Sequence, residues 1–144
     1  MKTRRSTCIC ASIALISLIF SFLILPVCYG AQDKIQRITI QELKKIMDQG
    51  EEVTVIDTRP KNIYDKGHIK GAVSIPWKSQ LALEDVWSLP SGIPIVTYCA
   101  CGPGEADSAD FAKQLMKMGY NDVKVLKHPA IDGWIKAGYP LDKK

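Results

Sequence analysis

The apolar positions of the chain fall into short blocks divided by Gly, Pro and charged residues, and their period changes from block to block. "TIQE" at 39–42 has the form of a capping box, with Thr39 as N-cap and Glu42 three residues on. Leu43, Ile46 and Met47 follow at helical spacing, and Gly50 closes that segment. "VTVID" at 53–57 is a β-branched run and predicts a strand; "AVSIP" at 72–76 predicts another, ended by Pro76. Leu81, Leu83, Val86 and Trp87 predict a short helix before "LPSG". "IPIVTY" at 93–98 is the most apolar strand and is expected at the centre of a sheet, buried on both faces. From about Ala106 to Met118 a helix places Phe111, Ala112, Leu115 and Met118 on one face, and Gly119 ends it. "DVKVL" at 122–126 is a further strand, and "AIDGWIKAG" at 130–138 is a closing helix that sets Trp134 on the core. The polar opening "AQDKIQ" at 31–36 is expected to be loose. Strands alternating with helices, without internal repeats, argue for an α/β domain whose parallel sheet is covered on both faces. Ligands of such sheets bind beyond the carboxyl ends of the strands.

The first thirty residues stand apart. Lys2, Arg4 and Arg5 precede an uncharged apolar run from about Cys8 to Val27, which Pro26 and the small residues Cys28 and Gly30 bring to a close. This is the pattern of a secretory signal, with cleavage expected after Gly30 and a domain over 31–144. The expected location is the periplasm or the exterior; the alternative is a membrane anchor through residues 8–27, since the run nearly suffices to span a bilayer. Setting the leader aside changes the charge balance. Of 19 Lys and Arg, 16 remain against 15 Asp and Glu, so the basic character of the full chain is a targeting effect. No basic cluster with interleaved aromatics is present, and nucleic acid is not an expected partner.

The cysteines change the picture more. Cys8, Cys10 and Cys28 belong to the leader, leaving Cys99 and Cys101 as the thiols of the domain. A bond between residues so close in sequence closes almost no loop and adds little stability, so long-range stapling is not their purpose. They follow the central strand and precede Gly102, Pro103 and Gly104, with Glu105 and Ala106 leading into the next helix. A helix N-terminus carries unpaired N–H groups and a partial positive charge. Glycines let the preceding loop curl so that its N–H groups turn inward and stabilise an anion. A thiolate or persulfide placed there becomes a lower-pKa, more available nucleophile. Alone, the glycines are equally consistent with an ordinary strand-to-helix turn. Two thiols on a tight turn with no convergent His argue against a dedicated zinc site, so no metal is expected.

"VIDTRPKNIYDKGHIKGAVSIP" at 55–76 resembles the first signature of the rhodanese family: Asp57, Arg59, Tyr64, Gly67, His68, Ile69, Gly71, Ala72, Ile75 and Pro76 stand where that pattern places them. Ser108, Ala112, Leu115 and Gly119 match the helix after the family's active-site loop, and "IDGWIKAGYPL" at 131–141 resembles its closing segment. The resemblance covers about residues 35–142. It implies a single α/β domain with a central parallel sheet of about five strands and helices on both faces. It also implies that Cys99 carries a persulfide between two half-reactions, taking sulfane sulfur from a donor and passing it to a nucleophilic acceptor. No cofactor is implied; the partners are small sulfur donors and thiol acceptors, with a protein thiol among the candidates. Asp57, Arg59, Gly67, His68 and Gly71 are implied to be scaffold residues, and His128 is expected in a surface loop.

The sequence departs from the family in three places. The loop Ala100–Ala106 is about three residues longer than the usual single-domain form. The Arg common near its end is missing, with Glu105 and Asp107 in that region, so the loop is expected to disfavour a dianion such as thiosulfate. Pro129-Ala130 stands where a Gly-Gly pair is usual. Three functions remain open at this point: sulfur transfer through Cys99, thiol-disulfide exchange through the Cys99/Cys101 pair, and a non-catalytic module of the same fold. Cys101 is either a resolving thiol or a packing residue of the loop.

Overall fold

The structure is a computed structural model that describes residues 35–144; the expected leader and most of "AQDKIQ" lie outside the described residues. Its elements run β1 (Gln36–Ile38), α1 (Ile40–Asp48), β2 (Thr54–Asp57), α2 (Lys61–Tyr64), β3 (His68–Ile69), β4 (Val73–Ser74), α3 (Leu83–Val86), β5 (Ile95–Tyr98), α4 (Ala106–Lys117), β6 (Val123–Leu126), α5 (Ala130–Lys136) and β7 (Leu141–Asp142). Five strands form one sheet in the order β1-β6-β5-β2-β4, with every neighbouring pair parallel. β3 and β7 make a separate antiparallel pair.

The period-2 geometry of the strands divides the core into two layers. Ile56, Ile95, Val123 and Val125 join Leu81, Val86, Phe111, Ala112 and Leu115 from the α3 and α4 side. Val55, Val96, Tyr98 and Leu126 join Ile40, Leu43, Tyr64, Ile131 and Trp134 from the side of α1, α2 and α5. β5 is buried at all four positions, as the apolar run at its heart requires of a strand covered on both faces. Each fully buried large apolar side chain contributes about 1.5–3 kcal/mol, so these two layers, more than any single polar contact, hold β5 in place.

The capping box at the start of α1 forms as expected: Thr39 Oγ1 accepts from the Glu42 N–H at 3.2 Å, and Thr39 N–H donates to Glu42 Oε2 at 2.6 Å. The opening segment departs from expectation. Gln36 is the first residue of an edge strand paired with Lys124–Leu126, so the end of "AQDKIQ" is ordered. An edge strand needs only one ladder and tolerates polar side chains, which removes the periodicity that would have marked it. The short helix before "LPSG" is only Leu83–Val86; Leu81 ahead of it and Val86 within it turn inward, while Leu83 and Trp87 are 70% and 85% exposed. Among the described residues no helix is long and apolar enough to cross a membrane.

Candidate active site

Cys99 follows the last residue of β5 and lies at the carboxyl edge of the sheet, on its middle strand. The residue before it is clamped at both ends. The Tyr98 carbonyl accepts from Thr58 N–H at 3.0 Å and from Thr58 Oγ1 at 2.9 Å. The Tyr98 hydroxyl donates to Asp57 Oδ2 at 2.6 Å and accepts from the Ile69 N–H at 3.2 Å. Burial, reinforced by the Asp57 carboxylate, pushes the Tyr98 phenol far above its ordinary pKa, so it remains a proton donor. Cys99 is thereby presented from a fixed backbone.

Cys99 is buried and Cys101 is partly exposed, and the two are joined by a disulfide with Cα atoms 5.6 Å apart. Two donors lie within reach of the Cys99 sulfur, each at 3.4 Å from Sγ: the Cys101 N–H, and the Ser108 hydroxyl, whose one proton is shared with the Glu105 carbonyl at 3.2 Å. Ser108 is fully buried in the first turn of α4, which is tied to β5 by a hydrogen bond from Thr97 Oγ1 to the Ser108 carbonyl at 2.9 Å. The sequence marked Ser108 only as a helix residue; its role as a donor to Cys99 becomes visible once strand and helix are placed side by side.

The loop Ala100–Ala106 turns through Gly102, Pro103 and Gly104. Gly102 and Gly104 have φ of +77° and +93°, and the Glu105 N–H closes the turn on the Gly102 carbonyl at 3.2 Å. Pro second and a left-handed Gly third is the arrangement that a type II turn favours. Of the loop N–H groups expected to converge on Cys99, that of Cys101 alone reaches its sulfur among the described residues; the second donor is a side chain of α4, the Ser108 hydroxyl.

Glu105 corrects the reading of the loop as an open acidic rim. Its side chain is buried, accepting from Arg37 Nε at 2.7 Å and from the His128 N–H at 2.9 Å. Burial alone would raise its pKa; the Arg37 bond, the His128 N–H and the nearby positive charge outweigh that and hold it below the ordinary carboxylate value. Its charge is used to fasten the loop to β1 and to the segment after β6. Glu105 is thereby paired with Arg37 and is not a free charge facing a dianionic donor, while Asp107, the other acidic residue of that region, stays partly exposed. The side chain of His128 is exposed in its loop, as expected, while its N–H does structural work.

The other motif residues form a scaffold beneath the strand ends. Asp57, fully buried, accepts from Arg59 N, Nε and Nη2 at 2.6–3.1 Å as well as from Tyr98. Arg59 Nη2 also donates to the Gly67 carbonyl at 2.8 Å. His68 stacks on Tyr64 with centroids 3.6 Å apart, and its Nδ1 lies 2.9 Å from the Tyr64 carbonyl oxygen. Gly71, at φ +77°, directs its N–H to Asp142. Among the described residues, none of these side chains hydrogen-bonds to the Cys99 sulfur. Among the described residues no group of three or more His, Cys, Asp or Glu is arranged to hold a metal.

Comparison with known families now decides the assignment. The family model for the rhodanese-like domain matches residues 39–136. The chain belongs to the rhodanese-like family. It is 31% identical over 139 residues to the adenylyltransferase and sulfurtransferase UBA4 of Meyerozyma guilliermondii, an alignment covering 88% of this chain and 31% of that protein. Among solved structures it is similar to the BH2092 protein of Bacillus halodurans, with TM-score 0.66 and 25% identity over 75% of this chain and 77% of that one. It is also similar to thiosulfate sulfurtransferase from Pseudomonas aeruginosa, with TM-score 0.63 and 27% identity over 76% of this chain and 20% of that one. The chain thus spans less than a third of the length of the yeast relative. Within this rhodanese-like domain, Ala130 occupies the position of a usual glycine and still adopts φ of +42°, the left-handed region that glycine favours. A cavity of about 330 Å³ lies beyond the carboxyl ends of β1 and β6, beside Thr39, Lys127 and His128, and includes no residue of the Cys99 loop. An apolar groove of about 630 Å³ lies at the opposite edge, around Val86, Ile93 and Tyr120, and shares no residue with the Cys99 loop.

Proposed function

We propose that this rhodanese-like domain is an exported sulfurtransferase that moves sulfane sulfur through a persulfide on Cys99 to a thiol or another nucleophilic acceptor. The observation that carries this reading is the placement of Cys99: a buried cysteine at the end of the central strand, with the Cys101 N–H and the Ser108 hydroxyl both directed at its sulfur. Donors that stabilise a thiolate lower its pKa and equally stabilise R–S–S⁻. The Cys99 thiolate attacks the sulfane sulfur of a donor, the donor's remaining fragment leaves with its electron pair, and the acceptor then removes the outer sulfur. In the disulfide form Cys99 has no free thiolate, so the reduced protein is the competent one.

The disulfide also favours a second reading, thiol-disulfide exchange by the pair without sulfur transfer. The Cys99→Ser variant separates the two. Given a thiol persulfide as donor and cyanide as acceptor, the reduced wild type is expected to turn over and Cys99→Ser to fall to the uncatalysed background. Sulfur transfer retained in Cys99→Ser would overturn the assignment of the nucleophile. For export, amino-terminal sequencing of the protein recovered from its source is expected to begin near Ala31; an intact Met1 on a membrane-bound product would replace release with anchoring.

A further inference from the structure

We propose that Cys101 is the resolving thiol of the site, so that sulfane sulfur bound at Cys99 can be discharged as hydrosulfide and the protein left as the Cys99–Cys101 disulfide. This deepens the reading of Cys99 as persulfide carrier and rests on it. The two sulfurs meet across the single residue Ala100 while the backbone stays in its turn, with the closing Glu105–Gly102 bond intact and Glu105 anchored to Arg37 and His128. The product of the resolving step is therefore compatible with the folded loop. Cys101 is the more exposed of the two cysteines.

The step balances as follows. The Cys101 sulfur attacks the inner sulfur of the Cys99 persulfide and forms the Sγ–Sγ bond. The bond from Cys99 Sγ to the outer sulfur breaks, and that sulfur leaves with the electron pair and the Cys101 proton as HS⁻. Sulfane sulfur is reduced by two electrons, and the two cysteines are oxidised to the disulfide. Returning to the thiol form requires an external dithiol as reductant, and the differing exposure of the two residues directs its attack. The partly exposed Cys101 is the accessible side of the bond, and Cys99 is buried. The buried Cys99 leaves as the thiolate, received by the Ser108 hydroxyl and the Cys101 N–H. The site thereby couples sulfur release to a supply of dithiol, and a dithiol-regenerating reaction must accompany it.

The test loads the reduced exported protein, recovered after removal of its leader, and its Cys101→Ser variant with glutathione persulfide, desalts them rapidly, and follows each without reductant in a sealed anaerobic vessel. Intact mass and evolved hydrosulfide are read together. Wild type is expected to lose its added sulfur, release hydrosulfide, and end two hydrogens below the reduced mass; dithiothreitol then restores both thiols. Cys101→Ser is expected to keep the added sulfur at least about tenfold longer, because a neighbouring thiol acts at high effective concentration, and to release correspondingly less hydrosulfide. Equal persulfide lifetimes in the two proteins would overturn the resolving role and leave the persulfide reading standing. A wild type that neither gains sulfur nor releases hydrosulfide, together with a variant that gains no sulfur, would overturn both.

Discussion

Glu105 shows how far one residue's role depends on partners distant in sequence. Read along the chain, it is an acidic residue beside the nucleophile; folded, it is a buried carboxylate in the left-handed region, at φ +50°, bound to Arg37 and to the His128 main chain. Its folded pKa lies below its unfolded value. Its contribution to stability is accordingly complete at neutral pH, and is lost as the pH falls from the ordinary carboxylate range through the lowered folded value. Glu105→Gln is expected to cost about 1–2 kcal/mol at neutral pH, since a hydrogen bond to a charged group is replaced by a neutral one. Its melting temperature should also decline less on acidification than that of wild type. Thermal melts from neutral to strongly acidic pH check this; superimposable curves for the two proteins would show that the Arg37 and His128 contacts do not hold the loop. The cysteines and glycines of the loop were legible in the sequence because their chemistry is local. The Arg37 and Ser108 contacts were not, because each joins segments that only the sheet brings together.

At the scale of elements, the strongly patterned segments were readable and the weakly patterned ones were not. The box at Thr39 and Glu42, the apolar run of β5 and the face of α4 bearing Phe111, Ala112 and Leu115 each carry a signal several residues long. β1 offers only Gln36, Arg37 and Ile38, of which the first two are exposed, and it exists because β6 supplies a ladder for it. β3 and β7 are two residues each and owe their pairing to the return of the chain after α5. The motif "GHIKGA" was recognised as a family signature, while its physical task emerges only from the fold. Gly67 gives its carbonyl to Arg59, His68 stacks on Tyr64, and Gly71 turns toward Asp142. These elements place Tyr98, and through it Cys99, and leave the chemistry to the loop.

At the scale of the whole molecule, the parallel sheet gathers its strand ends on one edge, where the general rule for α/β sheets locates ligands. Cys99, the left-handed glycines, the first turn of α4 and the Glu105 anchor all lie on that edge. Under the proposed function Cys99 Sγ carries the transferred sulfur, and the most direct measurement is the position of an added sulfur. The reduced Cys101→Ser variant, which cannot form the internal disulfide, is to be treated with a thiol persulfide, desalted, and analysed by intact mass and by mass of its peptides. The account predicts one added sulfur atom, located on the peptide that contains Cys99 and removed by cyanide or by a thiol. A variant that gains no sulfur, or a Cys99→Ser protein that gains and transfers it on Cys101 instead, would contradict it.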